Sequence, residues 1–344
     1  NLLEAAAFIE GRLDITPFKS NPKNITKYAN KYDCDFSEVK GQYQAKRAIE
    51  VAVAGAHNLL MIGPPGAGKT MLAKRIPTIL PVMSTEEAIE VSKIHSISGL
   101  LNSDNPFVFQ RPCRSPHHTS SDVALIGGGT YPKPGEVSLS HKGILYLDEL
   151  PEFKRNALEA LRQPLEDGQV TVARAQRSIR FPSEFMLVAS MNPCPCGYYG
   201  SNTTQCNCSP HKIQSYLQKI SGPLLDRIDI QIRVPAVKYK ELSENAASEP
   251  STEIRKRIEK TRKIQMKRTK KFNSRLSPRE IKKFCVLAPE PSTLLKMAIE
   301  ELHLSARAYD KILKVARTIA DLAQSNEITA EHISEAISYR TLDR

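Results

Sequence analysis

The sequence predicts an α/β fold in which a parallel sheet is flanked by helices and followed by a smaller all-α domain. Three features lead there. Short apolar runs at Leu59–Ile62, Gly143–Leu147 and Phe185–Ala189 alternate with stretches of helical periodicity, as parallel strands joined by crossover helices do. The first run leads into a glycine-rich turn, Gly63-Pro-Pro-Gly-Ala-Gly-Lys69-Thr70, that opens a helix. From residue 278 onward only helical spacing remains, with Leu302, Ile312, Val315, Ile319 and Leu322 on apolar faces.

In chain order, residues 1–36 are polar and mixed, hold Pro17 and Pro22, and are expected to be a linker or the tail of a preceding domain. The chain starts at Asn1, so an upstream segment is expected. The α/β core is expected over 37–236. Within it Ala45–Ala56 has helical spacing, Leu59–Ile62 is a strand, and Met71–Ile79 continues from the glycine-rich turn as a helix. Ser84–Leu101 reads as a helix opened by a capping box of Ser84 and Glu87. Residues 102–143, rich in Gly, Pro, Ser and His, read as loops and hairpins. Gly143–Leu147 is a buried strand, Asn156–Glu166 a helix, Val170–Phe181 a β-hairpin turning at Ala173–Gln176, and Phe185–Ala189 another buried strand. A cysteine-rich loop occupies 194–208. Residues 237–277 read as a basic helical insertion or linker, in which Glu253–Lys271 carries ten Lys or Arg against two acids. Residues 278–344 read as helices only and are expected to form a second, all-α domain.

The 344 residues are 40% hydrophobic and 25% charged, ordinary for a globular protein. No apolar run approaches the roughly 20 residues that span a bilayer, and no basic-then-apolar segment opens the chain, so no membrane association and a cytoplasmic location are expected. Net charge is +12, which suits a polyanionic partner, nucleic acid first. Seven cysteines without a secretion signal argue for thiols or a metal rather than a disulfide framework.

The turn fits G-x-x-x-x-G-K-[ST] in full and sits between a strand and a helix. Gly63, Pro64, Pro65, Gly66, Ala67 and Gly68 would wrap backbone N–H groups around phosphates, Lys69 would reach the β- and γ-phosphates, Thr70 would hold Mg²⁺, and Met71 continues the helix. Ile144–Leu147 delivers Asp148 to the end of a strand beside that loop, where it would hold the Mg²⁺ through water. Glu149 would orient the attacking water. Asn192 ends the next strand and could hold the same water or the γ-phosphate. Arg227 is a candidate arginine finger for a neighbouring subunit's ATP, its alternative being a salt bridge to Asp226 or Asp229. Arg307 opens a helix in the second domain and could also approach the γ-phosphate.

Together these residues resemble the AAA+ family related to the magnesium-chelatase ATPase subunit, and within it the bacterial ComM/YifB group. The likeness runs from about Asp35 to the C-terminus. It rests on Val39-Lys-Gly-Gln42, Arg111-Pro-Cys-Arg-Ser-Pro-His-His-Thr119, Pro134-Gly-Glu-Val-Ser-Leu139, Leu147-Asp-Glu-Leu-Pro-Glu-Phe153, Asn192-Pro-Cys-Pro-Cys-Gly197 and Ser221-Gly-Pro-Leu-Leu-Asp-Arg-Ile-Asp229. The resemblance implies an AAA+ P-loop NTPase fold with a C-terminal all-α lid. It implies roles for Asn192 as sensor 1, Arg227 as finger and Arg307 as sensor 2, with Val39, Gly41 and Gln42 at the adenine. It also implies a homohexameric motor that drives branch migration on single-stranded or branched DNA during natural transformation.

In related ring motors two insertions project into the central channel. The counterparts here are Arg111–Gly135, with Arg114, His117 and His118, and the Val170–Phe181 hairpin, with Arg174, Gln176 and Arg177 near its tip. They would grip phosphates without reading bases; the alternative is that they only tie loops to the core. Cys194-Pro-Cys196 and Cys206-Asn-Cys208 could close a structural tetrahedral Zn²⁺ site; free thiols, or His211 in place of one cysteine, are the alternatives. The magnesium-chelatase subunit itself lacks these cysteines. A DNA motor is the first functional reading. A chelatase-type ATPase acting on a protein partner and a protein-remodelling chaperone are the others.

Overall fold

The computed structural model describes residues 2–16, 32–101, 107–129, 132–174, 177–201, 204–236 and 248–340. Nine strands occur among them: β1 (Leu59–Ile62), β2 (Cys113–Arg114), β3 (Gly127–Gly128), β4 (Lys133–Pro134), β5 (Ile144–Leu147), β6 (Gln169–Arg174), β7 (Arg177–Pro182), β8 (Met186–Met191) and β9 (Ile230–Arg233). Five form one all-parallel sheet in the order β2-β5-β8-β1-β9. β6 and β7 pair antiparallel as a separate hairpin, and β3 and β4 form a second short one.

The inner strands are continuous apolar runs because both faces of the sheet are covered. Period-two alternation sends Leu59, Met61, Tyr146 and Val188 to one side, with the helices Tyr43–Gly55, Lys69–Ile79, Ser251–Thr269 and Ala306–Leu322. Leu60, Ile62, Leu145, Leu147, Leu187 and Ala189 face the other, where Leu158, Leu161, Val170, Phe181, Tyr216 and Leu224 meet them. The residues after 278 therefore share a core with the sheet: Ile312, Val315 and Ile319 belong to the same cluster as Leu59.

Several elements depart from the sequence reading. The stretch Asn156–Glu166 is two helices, Arg155–Ala160 and Arg162–Asp167, because Pro164 lacks an N–H and its ring crowds the carbonyl four residues back. The sequence reading leaves out the edge strands β2, which is two residues long, and β9, in which Gln231 and Arg233 break the apolar run that marks the inner strands. Leu2–Ile9 is a helix with no buried residue, inside the segment expected to be a linker. Ser251–Thr269, expected as a basic insertion or linker, buries Ile254, Ile258 and Gln265 against the core. The capping box of Ser84 and Glu87 is present and starts the helix at Thr85. No described helix is long and apolar enough to cross a membrane.

Candidate active site

The carboxyl ends of β1, β5 and β8 converge. β1 runs into the glycine-rich loop, whose first amide, Gly63 N, donates to Met191 O at the end of β8 (3.2 Å). Gly63 has no room for a side chain: a Cβ would lie 2.2 Å from the Val234 carbonyl oxygen. Gly68, at φ 86°, caps the helix Lys69–Ile79, which points its free N–H groups into the loop. Lys69 Nζ curls over that loop and donates to Gly63 O (2.7 Å), Pro64 O (2.9 Å) and Asn192 Oδ1 (3.2 Å). Burial pulls its pKa down, against the opposing charges of Asp148 and Glu149. Met71 packs beside Gly68, and buried Val39 precedes Gly41 and Gln42, both at positive φ. Gln42 Nε2 donates to Ala67 O (3.3 Å) and Pro235 O (2.7 Å), tying the loop to the end of β9.

Asp148 leaves the end of β5. Its Oδ2 accepts from Thr70 Oγ1 at 2.9 Å, and its Oδ1 accepts from Ser190 Oγ and from Glu149 N (3.1 Å). Ser190 is wholly buried on β8 and also meets Tyr146 OH at 3.1 Å. A hydroxyl and a carboxylate facing each other on adjacent elements are the oxygen donors that a hard cation takes, so the pair fits Mg²⁺. Glu149 sits at φ 53°, an uncommon conformation for this residue, with its carboxylate exposed and 3.5 Å from His118 Nδ1. His118 stacks on His117 (4.1 Å) and meets Phe153 edge-on (6.5 Å).

Immediately after Asn192 the chain forms a cysteine knuckle. The Sγ–Sγ separations are 3.3 Å (Cys194–Cys196), 3.7 Å (Cys194–Cys206) and 3.5 Å (Cys196–Cys206), and all four sulfurs, with Cys208, lie within 4.8 Å of one another. A regular tetrahedron with Zn–S near 2.3 Å has edges of about 3.8 Å, so these residues fit zinc. His211 stands outside the group. Hydrogen bonds from the Tyr198 and Asn207 amides bring the Cys196 pKa down to about 6, whereas those of Cys206 and Cys208 are raised, with desolvation and the neighbouring sulfurs outweighing an amide hydrogen bond to each, so the case for a metal rests on the sulfur geometry. The knuckle presses on the phosphate loop: a Cβ at Gly197 would lie 2.5 Å from Pro65 Cδ.

Arg227 lies at the other end of the sheet. Asn58, one residue before β1, donates to the Arg227 carbonyl (2.8 Å), whereas the phosphate loop leaves the far end of the same strand. Three strand steps of about 3.3 Å put roughly 10 Å between those ends before the loop begins. The Arg227 guanidinium is bound to Glu166, Pro223 O (2.6 Å) and Arg162 O (3.2 Å), not to Asp226 or Asp229. Arg307 bonds Asp226 Oδ2 at 3.0 Å, is 71% exposed, and so stands beside Arg227 rather than near its own phosphate loop. The two arginines line one cleft of about 360 Å³ with Arg275, Lys311 and Lys314.

Arg114 makes a two-pronged bridge to Glu136 (2.6 and 2.9 Å), which commits it to holding its own loop. His117 Nδ1 meets Thr119 Oγ1 (3.0 Å) and accepts from Thr119 N (3.4 Å), and apart from its contact with His118 the side chain is exposed. The hairpin register pairs Arg174 with Arg177 at the tip, as the alternation suggested. Gln176 and the side chains of Arg174 and Arg177 lie outside the described residues. The sequence reading missed Ser190, Tyr146 and Gly197. Nothing in a buried apolar strand marks one serine as a partner of Asp148, but a glycine two residues from a proline in a cysteine loop was a visible signal of close approach.

The chain matches the family models "Magnesium chelatase, subunit ChlI" over residues 35–242 and "Magnesium chelatase, subunit ChlI C-terminal" over 248–340. It is 45% identical over 348 residues to YifB of Salmonella typhimurium, covering 100% of this chain and 67% of that protein. It is also 45% identical over 347 residues to the competence protein ComM of Haemophilus influenzae, with the same coverage. The magnesium-chelatase 38 kDa subunit of Cereibacter sphaeroides is 26% identical over 175 residues, 46% of this chain and 52% of that protein. Site, fold and likeness agree: the chain belongs to the magnesium-chelatase-related AAA+ family, within its ComM/YifB group.

Proposed function

We propose that the protein is an ATP-hydrolysing subunit of a hexameric DNA motor that migrates branches during integration of DNA in natural transformation or recombination. The observation that carries the ring is the placement of Arg227 and Arg307 at the end of the sheet opposite the phosphate loop. Neither can serve its own chain's ATP, so both are suited to a neighbour's.

In this reading the loop Gly63–Gly68 and the helix it opens bind the phosphates, and Val39, Gly41 and Gln42 border the adenine. Lys69 gives up its bonds to Gly63 O and Pro64 O and turns to the β- and γ-phosphate oxygens. Thr70 and Asp148 would hold Mg²⁺, which supplies charge neutralisation at the phosphates. Asn192 orients the γ-phosphate side. Glu149 accepts a hydrogen bond from the attacking water and takes its proton, once its carboxylate leaves His118. Arg227 leaves Glu166 to meet the charge that develops on the neighbour's γ-phosphate. Cys194, Cys196, Cys206 and Cys208 would hold a structural Zn²⁺ that closes the loop behind Asn192. The net charge, the Arg174–Arg177 hairpin tip and His117 beside His118 support a DNA partner in the channel, as does likeness to a protein named for competence. DNA as substrate places the motor in the cytoplasm.

The test is ATPase activity with and without single-stranded or branched DNA at low salt. DNA stimulation is expected, with turnover abolished in Lys69→Ala and in Glu149→Gln, the latter still binding ATP. Arg227→Ala should bind ATP without hydrolysing it, and mixing it with Lys69→Ala should restore some hydrolysis. Activity indifferent to DNA would favour remodelling of a protein partner, the chelatase-like or chaperone reading.

A further inference from the structure

The helix Ser251–Thr269 sorts its cations by kind. Its arginines bind protein: Arg257 pairs with Glu50 and Glu249, Arg262 donates to the Val53 carbonyl at the end of a neighbouring helix, and Arg268 pairs with Asp321. Its lysines face solvent. Lys256, Lys260, Lys263 and Lys267 recur at steps of four, three and four residues, and Lys270, which ends the helix in the left-handed conformation, continues the series. At 100° per residue this is one stripe, about 20 Å long, diametrically opposite the buried Ile254, Ile258, Thr261 and Gln265.

Lys256 has Glu253 beside it at 2.7 Å. Lys260, Lys263, Lys267 and Lys270 form no ion pair among the described residues. Like charges at these helical spacings repel, and a helix kept merely soluble gains from a glutamate among them, as Lys256 does from Glu253. Glu259, four residues before Lys263, is the other acid beside the stripe and forms no ion pair with these lysines among the described residues, so the row keeps an excess of ammonium groups about 5 Å apart and fits a partner with its own regular row of negative charge. The phosphates of a nucleic-acid strand, one per about 3.4 Å of duplex axis, supply it. Lysine is a flexible point charge that neutralises phosphate without a fixed fork, which suits binding without regard to sequence.

We propose that this lysine ridge is a second DNA contact, separate from the two insertions named above, that holds the backbone by its phosphates. It rests on the reading above that DNA is the partner. The test is fluorescence anisotropy of a 5′-labelled single-stranded oligonucleotide titrated with the full chain at several salt concentrations. The variant combines Lys260→Gln, Lys263→Gln, Lys267→Gln and Lys270→Gln, which keep helix propensity and touch no buried group. Four lost phosphate contacts should make the slope of log affinity against log salt shallower by about 2.8, so that about 50-fold less affinity is lost between about 50 and 200 mM salt. The melting temperature and the ATPase rate without DNA should stay at wild-type values. Wild-type binding with an unchanged slope in the variant overturns the ridge alone. A wild-type chain that binds no DNA at low salt overturns the DNA reading and the ridge with it.

Discussion

Replacing Gly197 with alanine tests whether the cysteine knuckle and the phosphate loop move as one. Gly197 is at φ 89°, and a Cβ there would sit 2.5 Å from Pro65 Cδ and 2.8 Å from Pro65 Cγ, well inside the 3.5–4.0 Å at which carbon atoms attract. The left-handed backbone costs a non-glycine residue about 1–2 kcal/mol, and forcing a methyl into a filled space a further 1–3 kcal/mol or so. The sum is about 3.5 kcal/mol at its centre. Gly200, three residues on, is the control. It has φ 74°, but its Cβ would meet nothing closer than Arg233 Nη1 at 3.9 Å, so Gly200→Ala carries only the backbone part. If the strain pushes Pro65, Gly197→Ala should weaken binding of a fluorescent ATP analogue by up to about 100-fold, while Gly200→Ala changes it by less than about 3-fold. Titration of nucleotide into each variant, with the melting temperature measured alongside, separates loop displacement from unfolding. Equal losses of affinity in the two variants would show that the Gly197–Pro65 contact transmits nothing.

Other outcomes follow from the same groups. Burial raises the Asp148 pKa, but donors from Ser190, Thr70, Tyr146 and the Glu149 amide outweigh it and hold the carboxyl below its usual value. Ser190→Ala removes the first of these, so the pKa should rise and the acid limb of the ATPase pH profile should move to higher pH; an unmoved limb contradicts the assignment. Protein purified without added metal is expected to carry about one zinc per chain by elemental analysis, and Cys206→Ser to lose it. Asp229 is buried, which raises its pKa, yet the charge of Lys311, together with His57 and the Asn58 amide beside it, holds it far below the ordinary carboxylate value. The stability it contributes is therefore present above its unfolded pKa of about 3.9 and is lost as pH falls through the lower folded value. Burial pulls the Lys311 pKa down in turn. Asp229→Asn thus leaves an amine able to shed its proton, and urea unfolding at neutral pH should show a loss of about 3 kcal/mol, the low end for a broken buried pair. The variant's stability should also fall less steeply in acid; a slope equal to wild type counts against the pairing.

The nucleotide loop was legible because its chemistry is local. Backbone wrapping, a lysine and a hydroxyl must sit within eight consecutive residues, and a strand must precede them. Asp148, Glu149 and Asn192 were legible for a related reason: parallel strands deliver their last residues to one edge, so strand ends point to the site. The cysteine group was legible as a composition, and the distances between sulfurs narrowed its alternatives by leaving His211 outside. The break at Leu161 was also within reach, since Pro164 announces it.

Arg227 shows where that legibility ends. Its neighbours Asp226 and Asp229 were the obvious partners along the chain, and the fold gives them to Arg307, His57 and Lys311 instead, handing Arg227 to Glu166 on a different element. The basic run at Glu253–Lys271 is the same case, since one-dimensional charge could not say which cations look inward. From Gly63 to Thr70 the sequence alone determined a loop of the phosphate-binding pattern, with β1 and the following helix as its frame. Only the tertiary structure decided which end of the sheet each arginine occupies and that Gly197 bears on Pro65. Those are contacts between elements far apart in the chain, set by how strands order themselves in a sheet and not by any residue's own preference.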